Sequence, residues 1–220
     1  MSLYIVAIPI GNRADLTDRA RQVLTEADVV IGEEKRELLP FLKTLGLQNK
    51  FHEFLNEHSK KEELTELVKL CETKKVALVS DCGTPGFCDP GAQLVALCRQ
   101  KKIPVVPVPG ASSLMTLLSV SGLPMKQFVF LGFLSSDKPE REVQLRDLKN
   151  EKRATVLMDT PYRLSRLLSE LAQLFPERKA VLGLNLTQET EQILHAPLKQ
   201  LSETFKEQKA EFILILEGRV

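Results

Sequence analysis

Between Ser80 and Gly91 the chain reads SDCGTPGFCDPG, with three glycines, two prolines, two aspartates and two cysteines but no lysine or arginine. An apolar run ending at Val79 precedes this stretch, and AQLVALC, with helical spacing, follows it. Two further stretches of the same character are PIGN (9–12) and PVPGAS (107–112), each also placed after an apolar run. Glycine lets main-chain amides approach a ligand closely, and successive amides form a small nest for an anion. None of the three carries the GxxxxGK[ST] lysine of a phosphate loop or the GxGxxG dinucleotide fingerprint. The chemistry they suit is therefore a polar ligand that is not triphosphate-like. A carboxylate fits a nest, and Asp81 can accept from an ammonium or hydroxyl group. The competing reading is three ordinary tight turns.

Other reactive side chains are less organised. Cys82 and Cys88 form a C-x5-C pair without the second cysteine or histidine pair that a zinc site needs, so no metal is expected. His52, His58 and His195 are scattered, and HEFLNEH (52–58) reads as a solvated stretch. The charged run 137–153 reads as an exposed helix face. The alternative is that its Arg141, Arg146, Lys149, Lys152 and Arg153 touch phosphate.

The elements that must position these turns follow from hydrophobic period. Strands are expected at 3–9, 28–34, 50–54, 74–80 and 103–108, and helices at 15–27, 35–46, 59–72, 91–100 and 109–122. Asp15 or Thr17 would cap the first helix and Ser59 the third, and Pro40 would shorten or kink the second. Strand–helix alternation of this kind signals a mostly parallel α/β sheet, whose ligands gather at the carboxyl ends of the strands. SGLPMKQ (121–127) marks a boundary between an N-terminal domain, 1–122, and a C-terminal domain, 123–220. The second domain has strands expected at 127–134, 154–159, 179–187, 191–196 and 210–218. Helices are expected at 137–153, at 161–175 with Pro161 in its first turn, and at 197–208, which makes a mixed sheet with helices.

Composition sets wide bounds. The chain has 220 residues, 43% hydrophobic and 27% charged, with net charge +1, so overall charge points neither toward nor away from nucleic acid. No apolar run approaches the roughly 20 residues of a membrane span. MSLYIVAIPIG lacks a basic leader region and reads as a first strand. The four cysteines read as reduced thiols of a cytoplasmic protein.

The strings LYIVAIPIGN, VALVSDCGTPGFCDPG, PVVPVPGAS, SGLP and EFILILEG, in this order, resemble the tetrapyrrole methylase superfamily. Within it they resemble the branch that methylates ribose 2′-hydroxyls of small-subunit ribosomal RNA. The resemblance implies two α/β domains with the cofactor in a cleft between them, S-adenosylmethionine as methyl donor, a homodimer, and ribosomal RNA or the small ribosomal subunit as substrate. It implies donor contacts at Pro9, Asp81, Gly83, Thr84, Pro85, Gly86, Pro109, Gly110, Ala111 and Ser112. In the second domain it implies them at Leu157, Met158, Leu184, Asn185 and Leu186. The donor's sulfonium is cationic, which accounts for glycine turns without basic side chains.

The family's Glu-Asp-Thr-Arg motif falls on Glu33, Glu34, Lys35 and Arg36. Glu33 is the implied base or substrate orienter and Arg36 a phosphate or loop partner, against the alternative that the two form a structural ion pair. Implied substrate contacts are Asn12, Lys35, Tyr162 and Arg163. The family's Glu-Ser-Pro-His-Arg reads here as Asp159, Thr160, Pro161, Tyr162 and Arg163, and Ile8 stands where threonine is usual. Methylation of a small molecule such as a tetrapyrrole, or donor binding without catalysis, remain the alternatives.

Overall fold

A computed structural model describes residues 1–87 and 91–218. Cys88 lies outside the described residues. The chain forms two compact units, Met1–Ser112 and Ser113–Val220.

The first unit is a five-stranded sheet of order β3-β2-β4-β1-β5, parallel throughout. Its strands are β1 (Ser2–Val6), β2 (Val29–Gly32), β3 (His52–Phe54), β4 (Lys75–Leu78) and β5 (Val105–Val108). Between them run α1 (Asp18–Glu26), α2 (Lys35–Thr44), α3 (Lys61–Thr73) and α4 (Gly91–Gln100). Alternation along each strand feeds two cores. Leu3, Val29, Ile31, Val76 and Leu78 pack with Leu67, Val68 and Leu94 of α3 and α4. Val6, Val30, Ala77 and Val79 pack with Leu24, Leu38 and Leu42 of α1 and α2. A sheet covered on both faces needs near-continuous apolar strands, which is what LYIV, VVI and VAL supply.

Local signals fix the helix ends. Thr17 Oγ1 accepts the Ala20 N–H at 3.1 Å and starts α1. Ser59 does not cap α3: its hydroxyl accepts from the Asn56 N–H at 3.0 Å. Instead the Glu63 carboxylate reaches back to the Lys60 N–H at 3.1 Å, one half of a capping box. Pro40 lies inside α2, which runs on to Thr44.

The second unit holds a mixed sheet, β6-β7-β10-β8-β9, with only β6 and β7 parallel. Its elements are α5 (Ser113–Val120), β6 (Phe128–Phe133), α6 (Lys138–Asp147), β7 (Ala154–Asp159), α7 (Leu164–Leu174), β8 (Lys179–Leu184), β9 (Gln192–Pro197), α8 (Leu198–Thr204) and β10 (Phe212–Leu216). Leu157, Leu182, Leu184, Leu214 and Leu216 face a core built with Leu145, Leu167, Leu171 and Leu201 of α6, α7 and α8.

The sequence boundary expected after Gly122 differs from the division at Ser112, and α5 is the reason. A Cβ on Gly183 of β8 would lie 2.9 Å from Leu117 Cδ1, so the bare glycine surface of β8 receives α5. Among the described residues no helix is long and apolar enough to cross a membrane.

Candidate active site

In the first unit the chain passes the carboxyl ends of β1, β4, β5 and β2 in turns that are fastened to each other. Ile8 and Gly83 form a two-way antiparallel bridge, with the Ile8 N–H donating to Gly83 O at 2.9 Å and the Gly83 N–H to Ile8 O at 3.1 Å. Thr84 Oγ1 donates to Ala111 O at 2.9 Å, joining the turn after β4 to the turn after β5. A Cβ on Gly110 would sit 3.0 Å from Ala7 Cβ, so only glycine lets the turn after β5 lie this close to the end of β1. Gly83 and Gly86 have φ of +75° and +85°, a region that disfavours L side chains. The turns are thus a cross-braced rim rather than independent bends. Pro9, Asp81, Gly83, Thr84, Pro85, Gly86, Pro109, Gly110, Ala111 and Ser112 all lie on it.

The acidic motif adjoins the rim. Asp81 Oδ1 accepts the Glu34 N–H at 3.1 Å, tying the turn after β4 to the start of α2. Glu33 is half-buried at the end of β2, and Lys35 is exposed. Arg36 pairs with its neighbour Glu37 at 3.7 Å, with Arg36 81% exposed; a contact of this kind holds little energy. Asn12 Oδ1 accepts the Ala14 N–H at 3.0 Å and so shapes the 3₁₀ turn that follows β1.

Burial raises the Asp81 carboxyl above its ordinary range; the Glu34 N–H and Arg36 oppose this, and the Glu37 and Glu34 charges add to it. A raised pKa in the folded state means that Asp81 favours folding at low pH. That contribution is lost as pH rises through its folded pKa. Asp81→Asn keeps an oxygen for the Glu34 N–H and removes the charge. The variant is expected to be more stable than the wild type at pH 7, with the gain shrinking toward about pH 4. Thermal melts across that range check this. A variant equally destabilised at every pH contradicts it.

In the second unit the residues singled out from sequence gather at one end of the sheet. Phe212 at the start of β10 stands opposite both Asp159, the last residue of β7, and Leu184, the last of β8. Leu157 and Leu184 point into the core, and each is at most 1% exposed, so these two offer a ligand only main chain. Met158 is half-buried. Asn185 takes φ +46° and exchanges hydrogen bonds with Glu211: its N–H donates to Glu211 O at 2.8 Å, and its Oδ1 accepts the Glu211 N–H at 3.2 Å. Leu186 is buried and packs toward Gly183.

Among the charged side chains of the run 137–153, Arg141 departs from the expected solvation. Arg141 is 1% exposed. Its Nε and Nη2 both reach Glu170 Oε2 at 2.8 Å, and its Nη1 donates to Leu134 O at 3.3 Å and Ser135 O at 3.2 Å. Nη1 also faces Asp159 Oδ2 at 3.6 Å. The other Asp159 oxygen accepts the Thr160 N–H at 2.9 Å and Arg163 Nη1 at 3.3 Å. Glu170 Oε1 accepts Arg166 Nε at 2.8 Å. Arg141 therefore anchors the turn after β7 from within. The signal for this was present: Arg141, Leu145 and Leu148 are spaced i, i+4 and i+7, and both leucines are buried. Elsewhere Cys71 and Cys98 are buried free thiols. Among the described residues no group of His, Cys, Asp or Glu side chains could hold a metal ion.

Comparison with known proteins gives this geometry its family. Residues 2–202 match the family model of the Tetrapyrrole (Corrin/Porphyrin) Methylases. The chain is 38% identical to the ribosomal RNA small subunit methyltransferase I of Leptospira biflexa over 218 residues, covering 99% of this chain and 91% of the relative. Among solved structures it resembles a diphthine synthase with TM-score 0.78 at 17% identity, covering 99% of this chain and 90% of that one. It also resembles the uroporphyrin-III C-methyl transferase of Thermus thermophilus, solved with S-adenyl homocysteine, with TM-score 0.67 at 22% identity, covering 99% and 97%. A glycine-braced rim on a parallel sheet, a second mixed sheet and a sequence match running almost end to end agree: the chain is a methyltransferase and belongs to the tetrapyrrole (corrin/porphyrin) methylase family.

Proposed function

We propose that this methyltransferase uses S-adenosylmethionine to methylate a ribose 2′-hydroxyl of small-subunit ribosomal RNA. The observation that carries the RNA is the near-full-length, 38% identical relative with small-subunit ribosomal RNA in its name; the ribose hydroxyl rests on the resemblance of the sequence strings. The T. thermophilus structure, solved with the demethylated donor, supports the cofactor.

The residues of the rim suit such a donor. Gly83 and Gly110 let the turns close against Ile10 and Ala7, which gathers the rim's main-chain dipoles where a carboxylate and ammonium can meet them. The turns 7–12, 80–87 and 107–112 carry no lysine or arginine to repel a sulfonium. Pro9, Asp81, Gly83, Thr84, Pro85, Gly86, Pro109, Gly110, Ala111 and Ser112 would hold it, with Leu157, Met158, Leu184, Asn185 and Leu186 as the second unit's donor positions. Bound there, S-adenosylmethionine supplies an electrophilic methyl carbon.

The chain's own task is alignment and proton handling. Glu33 accepts the proton of the ribose hydroxyl at its carboxylate, and Arg36, Lys35 and Asn12 contact the RNA. A dimer in the cytoplasm is part of the same reading. Phe128, Leu131 and Phe133 of edge strand β6 are 38%, 41% and 43% exposed and offer an apolar surface to a second copy.

Transfer of labelled methyl groups to small ribosomal subunits tests the proposal. Label is expected on a ribose 2′-oxygen. Glu33→Gln is expected to lower turnover by about a hundredfold or more with donor affinity retained. Label confined to bases, or absent from RNA, contradicts the acceptor, and full activity of Glu33→Gln contradicts the role of Glu33.

A further inference from the structure

Tyr162 is 76% exposed, the most exposed of the chain's large apolar side chains on the described surface. It stands on a 3₁₀ turn, Pro161–Arg163, that is far from loose. Asp159 holds the turn at the Thr160 N–H and at the Arg163 guanidinium, and the buried Arg141 sits behind Asp159. Pro161 stiffens the turn further by fixing one backbone dihedral. An aromatic ring held outward on so rigid a mount is pre-organised for contact, because little side-chain freedom is lost when a partner arrives.

The surroundings say what kind of partner. Lys209 Nζ lies 4.8 Å over the Tyr162 ring, brought there because β10 begins opposite the end of β7. The Ser165 hydroxyl donates to Lys206 O, which fixes the approach to β10 against α7. The cluster behind the ring sets three guanidiniums, Arg141, Arg163 and Arg166, against two carboxylates, Asp159 and Glu170. Its surplus is positive, and Arg141 is sealed inside, so the excess falls on the outward Arg163 and Arg166.

We infer that Tyr162, Lys209 and Arg163 form a stacking platform for one unpaired nucleotide of the RNA substrate, with the ring against the base and the two cations on the adjoining phosphates. This deepens the RNA reading and rests on it. A ring flanked by cations is the combination that binds single-stranded nucleic acid, since every base has a π-face and every linkage a negative charge. A protein partner would be better served by an apolar patch, and the groups next to Tyr162 are charged.

The test is steady-state methylation of small ribosomal subunits together with titration of S-adenosylhomocysteine. Tyr162→Ala is expected to raise KM for the subunit about ten- to a hundredfold, with kcat and donor affinity little changed. Tyr162→Phe is expected to restore most of the loss, because stacking needs the ring and not the hydroxyl. Lys209→Gln is expected to lower the slope of log affinity against log salt by about one. Both side chains point outward, so melting temperatures are expected to stay within a few degrees of the wild type, which separates lost contact from lost fold. An unchanged KM for Tyr162→Ala, or an equal loss in Tyr162→Phe, overturns the platform while leaving the RNA reading intact. Wild-type enzyme that fails to methylate the subunit at all overturns that reading first, before any variant is compared.

Discussion

Gly83→Val is expected to weaken S-adenosylhomocysteine binding by at least ~100-fold, the cost of losing one well-placed main-chain contact together with the geometry around it. Three facts combine at this residue. Its φ is +75°, where an L side chain, and a β-branched one above all, is strained. Its added Cβ would lie 3.2 Å from Ile10 Cγ2, which crowds the turn after β1, and would touch Ala111 O at 3.8 Å. Its N–H and carbonyl are both committed to Ile8. The strain can be relieved only by rotating the Gly83 peptide, which breaks the bridge that holds the rim together. Calorimetry measures the outcome, with circular dichroism confirming that the sheet persists. Donor affinity within threefold of the wild type would show that the rim is not where the donor sits.

Arg141→Met is expected to destabilise the second unit by about 3–5 kcal/mol, the usual cost of leaving a buried charge without its partner. For a whole protein of this size that lowers the melting temperature by roughly 10 °C. Methionine fills a similar volume, so packing loss contributes little. What remains is Glu170 without its two 2.8 Å contacts, Asp159 without the cation behind it, and two carbonyls, of Leu134 and Ser135, without a donor. Adding Glu170→Gln to Arg141→Met is expected to recover part of the loss, since it removes a charge left with Arg166 as its only remaining cation in the cluster. Scanning calorimetry distinguishes the cases. A shift under about 2 °C for Arg141→Met would mean that water replaces the guanidinium at little cost.

These two residues also mark the limits of what the sequence makes legible. The first unit was readable because a doubly covered parallel sheet demands apolar strands, and glycine–proline turns can stand only at their ends. The turns named from sequence are the turns that form the rim. The cross-bracing of Ile8 with Gly83 and of Thr84 with Ala111 was not readable, since each bond joins segments far apart in the chain.

The second unit hides more. Arg141 lies in a run whose composition is that of a solvated face, and composition outweighed its i, i+4, i+7 spacing with Leu145 and Leu148. Its partners Asp159 and Glu170 arrive only through tertiary packing. Lys209 reaches Tyr162 through antiparallel pairing of β7 with β10, and α5 joins the second unit because Gly183 is bare opposite Leu117. Each of these depends on a pairing of distant segments, which local period cannot encode.

Amide hydrogen exchange with and without S-adenosylhomocysteine tests the central claim most directly, because it reads the main chain itself. The account predicts slowed exchange in the turns at 8–12, 80–87 and 109–113. Exchange that is unchanged at all three turns in the presence of saturating ligand, or slowed only outside them, would contradict it.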